Sequence, residues 1–166
     1  MTTILTKDPK FTLRMATADD AALVLDFIKK LGTYQRMADE ITATEASLCR
    51  LLSDRQGEAI FGLYDSAPVA FMYFSQTSSA FTGRSGLFID GFYVDEAMRH
   101  AGLGKIMMEY LSKLTLERGG QMLEWGCLDW NAPTIAFYKG LGAYCLDILR
   151  IYRMSPDSID ASAARF

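Results

Sequence analysis

The sequence is short of the residues that many reaction chemistries require. Its 166 positions hold one histidine, His100, and three cysteines, Cys49, Cys127 and Cys145. A single histidine leaves little support for a Ser–His or Cys–His nucleophile. The cysteines are odd in number, far apart and without a C-x-x-C spacing, which speaks against a disulfide framework and against a zinc site. Each reads as a small buried hydrophobe, and free thiols suit a reducing cytoplasm. No metal is expected. No apolar run reaches membrane-spanning length, and no basic segment followed by an apolar one opens the chain. Basic residues do not prevail either: 17 Lys and Arg stand against 20 Asp and Glu, a net charge of −3. That balance argues against a nucleic-acid partner and is compatible with a cationic substrate. The expectation is a cytoplasmic protein with neither a membrane nor a nucleic-acid partner.

What is present is apolar side chain. Half the residues are hydrophobic, enough for the core of one domain over 1–166, with 1–10 and 155–166 as loose ends. Phe11 to Met15 reads as a first strand. Thr17-Ala18-Asp19-Asp20 is a helix start, a Thr cap with an acid three residues on, and Val24, Phe27, Ile28 and Leu31 follow at helical spacing until Gly32. Thr42-Ala43-Thr44-Glu45 is a second capping box, with Leu48, Leu51 and Leu52 as its stripe. Strands are expected over Glu58 to Tyr64 and Val69 to Gln76, with Asp65-Ser66-Ala67-Pro68 as the turn between them. A polar loop spans Thr77 to Ser85, and a strand covers Leu87 to Val94. Leu103, Met107, Tyr110, Leu111 and Leu114 mark a helix stopped by Gly119-Gly120. Gln121 to Leu128 is a strand. Asn131-Ala132-Pro133 starts a short helix that Gly140 and Gly142 close. Ala143 to Met154 reads as one or two last strands. The order gives an α/β (α+β) fold with a central mixed sheet.

The most informative segment is Arg99-His100-Ala101-Gly102-Leu103-Gly104-Lys105, which follows a strand and opens a helix. A helix N-terminus offers backbone N–H groups and the positive end of a dipole. Glycines remove the side chains that would keep a phosphate from that backbone, and Arg99 and Lys105 add positive charge. A pyrophosphate is the natural guest. Walker A spacing is absent, since one residue separates the glycines and Ile106 follows Lys105. The dinucleotide fingerprint is absent too, because Met107 stands where a third glycine is required. Read alone, the loop serves equally as a turn that lets a strand meet a helix.

In context, Arg99-x-x-Gly102-x-Gly104 resembles the Arg/Gln-x-x-Gly-x-Gly/Ala signature of the GNAT superfamily of N-acetyltransferases. The resemblance extends to Phe11–Asp20, similar to that family's opening strand and cap, and to Asn131-x-Pro133-(four)-Tyr138-x-x-x-Gly142-Ala143. It spans roughly residues 11 to 145. Within the superfamily the chain is most similar to the diamine and polyamine branch, through Ile28-Lys29-Lys30-Leu31 with Tyr34, Thr42 to Leu48, Gly83-Arg84-Ser85-Gly86 and Trp130-Asn131. The resemblance implies a three-layer fold. Its central, mostly antiparallel twisted sheet has six to seven strands flanked by about four helices. It implies acetyl-CoA as cosubstrate. The backbone of Phe92, Tyr93 and Val94 would hold the pantetheine arm, and the amides of His100, Ala101, Gly102, Leu103, Gly104 and Lys105 the pyrophosphate. Asn131 would contact the cofactor near the thioester, Tyr138 would sit beside the sulfur, and Asp90 would stand near the reacting amine. It also implies a homodimer.

Acyl transfer from a thioester to an amine needs an amine without its extra proton, donors for the tetrahedral oxyanion and a proton for the departing thiolate. Asp90 suits the first task and Tyr138 the last. The plain alternatives stay open: Tyr138 as a packed helix residue, Asp90 as a solvated strand residue. Two departures from the polyamine branch matter. Gly91 stands where a second acid is common, and Gln35 where a Glu is common. Both favour a different or smaller amine. Tyr34, Gln35 and Glu124 are candidate substrate contacts, as are Asp39 and Glu40. Trp125 and Trp130 read as core. The reading is an N-acetyltransferase acting on a small diamine, polyamine or lysine-like amine. The alternatives are a protein or peptide N-acetyltransferase and a CoA-binding module without catalysis.

Overall fold

Phe61 on one strand and Phe71 on its neighbour face each other in the middle of the sheet. In the computed structural model, which describes residues Thr2–Phe166, β3 (Glu58–Tyr64) and β4 (Ala67–Ser79) pair antiparallel, with Phe61 opposite Phe71. Asp65 and Ser66, at φ 46° and 72°, form the two-residue turn between them, the left-handed geometry that matches strand twist. On one side come β2 (Phe11–Met15) and then β1 (Thr3–Leu5). On the other come β5 (Arg84–Val94) and β6 (Met122–Trp125). Strand order follows chain order, β1-β2-β3-β4-β5-β6. Every pair is antiparallel except β5–β6, which is parallel.

Helices cover both faces. α1 (Ala21–Gln35) and α2 (Glu45–Ser53) lie on the Phe61 and Phe71 face. There the Phe27 ring stacks on Phe71 at 5.5 Å and meets Phe61 at 5.8 Å. α3 (Leu103–Glu117) packs against β4, β5 and β6 and buries Leu103, Ile106, Met107 and Leu111. The chain's contacts divide into two compact units, one ending at Trp130 and one covering Asn131–Phe166. The second unit holds α4 (Ala132–Gly140) and α5 (Pro156–Ala163). Among the described residues the expected six to seven strands are six, and the expected helices, about four, are five α-helices.

Several expected boundaries move. Thr3–Leu5 is a strand paired with Thr12–Arg14, not a loose lead. Gly32 does not end α1. A Cβ there would lie 2.5 Å from Ile41 Cδ1, so the glycine permits close packing and the helix runs on to Gln35. The second cap is Thr44, whose hydroxyl accepts from Ser47 N–H at 3.1 Å, not Thr42. The strands around the 77–85 loop extend into it, leaving a turn at 80–83. Residues 143–154 form no strand, and 155–166 hold α5 where a loose end was expected. A strand exists through its ladder, and none forms there. Ile148 and Tyr152 are 94% and 88% exposed, so β-prone composition alone did not make structure.

The first cap is as expected. Thr17 N–H donates to Asp20 Oδ2 at 2.8 Å. Arg14 on β2 grips the same carboxylate with both Nη atoms, at 2.8 and 2.9 Å, and its hydrogen bond holds Asp20 below the usual carboxylate range. One side chain therefore joins the sheet to the start of α1. Asp20→Ala is expected to cost about 2 kcal/mol in urea unfolding near neutral pH. A depressed carboxylate contributes stability above its unfolded value of about 3.9 and loses it as pH falls through the folded value. The gap between wild type and variant should therefore close in acid.

Candidate active site

The site begins where two strands part. The β5–β6 ladder runs from Gly86–Met122 to Ile89–Trp125 and stops there, while β5 continues to Val94. A Cβ on Gly86 would strike the Met122 carbonyl, so glycine permits the close approach at the start of the ladder. On the other edge of β5 the register shifts by one residue. Ile89 faces Phe74, Gly91 faces Tyr73, and Asp90 is the extra residue of a bulge. Bulges re-aim side chains. Here the bulge reverses the alternation, so that Ile89 lies on the Phe74 face and Gly91 and Tyr93 lie on the Tyr73 face with α1. Asp90 is exposed at this switch. Burial first, and then the Asp90 charge, push the Tyr73 phenol above its ordinary value.

α1 runs along this last part of β5. Lys30 Nζ pairs with Asp95 Oδ1 at 3.0 Å. One residue on, Leu31 lies over Gly91, where a Cβ would meet Leu31 Cδ2 at 3.3 Å. A turn later Tyr34 receives the Arg99 guanidinium, with Cζ 4.6 Å from its ring centroid and 5.5 Å from that of Tyr93. Arg99 Nε also donates to Val94 O at 3.0 Å. Its side chain thus joins the helix, the strand and the loop that follows.

That loop turns through left-handed backbone into α3. His100 and Gly102 take left-handed φ values of 64° and 82°, and turns of this kind point successive N–H groups one way. The first bond of α3 is donated by Ile106 N–H to Gly102 O. The N–H groups of Leu103, Gly104 and Lys105 therefore have no acceptor within the helix. A Cβ on Gly102 would meet nothing within 4 Å. The donor set and the open space fit a phosphate group. Lys105 Nζ lies 4.0 Å from Glu109, which itself pairs with Lys7 at 2.7 Å.

The expected site residues fall into three groups. Tyr34, Asp90, Phe92, Tyr93, Val94 and Arg99–Lys105 are on α1, β5 and the loop just described, with Gln35 next to Tyr34. Glu124 on β6 lies beside Phe88 on the same sheet face. Asn131 and Tyr138 belong to the second unit. There Asn131 caps α4 by accepting from Thr134 N–H at 3.4 Å, and Tyr138 stands in that helix with its ring 5.3 Å from Phe137. Trp130 is not core: it is 47% exposed, 6.5 Å from Tyr34, with the Arg36 guanidinium 5.2 Å from its ring. Arg36 escaped notice in the sequence. It is a left-handed helix cap, φ 59°, at a position where glycine is usual.

Known proteins share this chain's sequence pattern and fold. Residues 25–143 match the Acetyltransferase (GNAT) family. An L-ornithine N5-acetyltransferase of Arabidopsis thaliana is 28% identical over 60% of this chain, and the match covers 43% of that protein's length. A thialysine N-epsilon-acetyltransferase of Bos taurus is 26% identical, over 79% of this chain and 82% of its own. In three dimensions an aminoglycoside acetyltransferase from an uncultured soil metagenomic sample, solved in complex with sisomicin, superposes with a TM-score of 0.76. It covers 90% of this chain and all of its own at 13% identity, a likeness of fold. The parted strands, the glycine loop and the sequence match lead to one conclusion: the chain belongs to the GNAT acetyltransferase family.

Proposed function

We propose that the chain is an acetyl-CoA-dependent N-acetyltransferase that acetylates the primary amine of a small molecule by direct transfer. The observation that carries this reading is the end of β5 running free of β6 beside a left-handed turn at the start of α3, in a chain of this family. The names of the relatives support a small amine acceptor: ornithine, a lysine analogue and aminoglycosides. The diamine, polyamine and lysine-like amines expected from sequence are of this kind.

The loop amides from His100 to Lys105 would hold the pyrophosphate and the backbone of Phe92 to Val94 the pantetheine arm, with Asn131 near the acyl end. Acetyl-CoA supplies the acetyl group on a thioester. The chain's own groups handle the protons. An alkylammonium titrates at about pH 10 and attacks only after losing a proton. Asp90, exposed at the bulge, attracts the ammonium form and takes that proton directly or through water. Amides of β5 donate to the oxyanion. The Tyr138 phenol gives its proton to the departing thiolate. The reading includes a homodimer, by family resemblance.

Three outcomes follow. Incubation with acetyl-CoA and a panel of diamines, polyamines, basic amino acids and aminoglycosides should release free thiol with at least one amine; silence across the panel, with CoA bound in calorimetry, favours a binding module. Tyr138→Phe should lower kcat by about a hundredfold while CoA affinity persists; equal kcat would remove Tyr138 from the mechanism. Gly102→Ala should cost about 1 kcal/mol in urea unfolding, from left-handed backbone strain alone since the methyl has room, and should weaken CoA binding in calorimetry.

A further inference from the structure

We infer that Lys7, on the turn between β1 and β2, sets the affinity of the cofactor site through Glu109. By pairing with that carboxylate it keeps a negative charge from opposing the cofactor phosphates and leaves Lys105 to meet them. The inference rests on the acetyl-CoA reading above and concerns a residue that lies outside the motifs of that site.

The first ground is placement. Glu109 lies one turn on from Lys105 in α3. Its Oε2 accepts from Lys7 Nζ at 2.7 Å, and its Oε1 lies 4.0 Å from Lys105 Nζ. The two lysines therefore flank one carboxylate, beside the amides that open α3. The distances rank the pairs. At 2.7 Å Lys7 answers the charge of Glu109, while at 4.0 Å Lys105 is held loosely and can turn toward an anion. All three side chains are open to solvent, so a phosphate has access to them.

The second ground is sign. A phosphate on the amides of Leu103 to Lys105 would meet Lys105 and Glu109, whose charges cancel. A carboxylate so near repels the phosphate, because charges within about 10 Å are only partly screened at ordinary salt. With Lys7 the cluster is left with a net positive charge. The third ground is the build of the turn. Thr6 Oγ1 donates to Phe11 O at 2.6 Å and accepts from Asp8 N–H at 3.1 Å. Lys10 N–H donates to Asp8 Oδ1 at 2.9 Å, and Phe11 N–H donates to Asp8 O at 3.0 Å. Phe11 itself is fully buried. Lys7 is thus carried on backbone fixed on both sides and anchored to the core. As a fastener alone the pair would contribute little, since both of its side chains are exposed.

The test is calorimetric titration of the whole chain with CoA at low salt, in a double-mutant cycle. Lys7→Ala should weaken CoA binding by about fivefold, and Glu109→Gln should tighten it. The double variant should return to within about twofold of the wild type, because its net charge beside the loop is again that of the wild type. The differences should shrink in about 0.5 M salt. Urea unfolding separates this role from a fastener's. The double variant lacks the ion pair as fully as either single variant, so any stability lost with the pair stays lost while CoA affinity comes back. Unchanged affinity in Lys7→Ala would overturn the inference and leave the acetyl-CoA reading intact. So would a loss in Lys7→Ala that Glu109→Gln does not repair. No binding of CoA by the wild type would overturn both.

Discussion

Two strands stay side by side only while their backbones can exchange hydrogen bonds, and β5 and β6 do so over four residue pairs, Gly86 to Ile89 against Met122 to Trp125. What lies beyond that limit depends on it. The bulge at Asp90 falls one residue past the last pair. It reverses which side chains face α1, and it sets the carboxylate where β5 leaves its parallel neighbour. Had the ladder continued, β5 would be an interior strand from end to end, buried by its neighbours and offering no edge. The glycines at both ends of the shared stretch serve this geometry: Gly86 admits the close start, and Gly91 admits α1 at the point of departure.

Arg99 converts that strand geometry into a fixed loop. Its family motif is read from sequence as charge beside a phosphate site. In the structure its side chain points inward, bonded to Val94 O and lying over Tyr34 and Tyr93. A cation over aromatic rings in a partly buried place contributes on the order of 1 kcal/mol per ring. The larger consequence is positional. The turn at His100 and Gly102, and with it the first amides of α3, is anchored to the same strand end that carries Asp90. Through Tyr34 these contacts extend to Trp130 and Arg36.

Much of this was legible in the chain. The loop at Gly102 and Gly104 was readable because left-handed backbone and close anion approach both call for glycine. The Thr17–Asp20 cap was readable because its partners are three residues apart. Features that depend on distant partners were not. The bulge at Asp90 is defined by its pairing with β4, the inward turn of Arg99 by a tyrosine 65 positions earlier, and the role of Gly32 by Ile41. Arg36 gave no signal, since nothing in its neighbours marks it as a left-handed cap. The stretch 143–154 looked like strand from its Ile, Leu and Tyr content, but composition supplies propensity and not a ladder.

The end of β5 and the start of α3 are the proposed seat of the cofactor. Amide hydrogen exchange of the wild-type protein, with and without saturating CoA, tests it directly. Slowed exchange concentrated in Gly91–Val94 and His100–Lys105 is the predicted result. Saturated binding with exchange in both segments unchanged, or with protection confined to another part of the sheet, would contradict it.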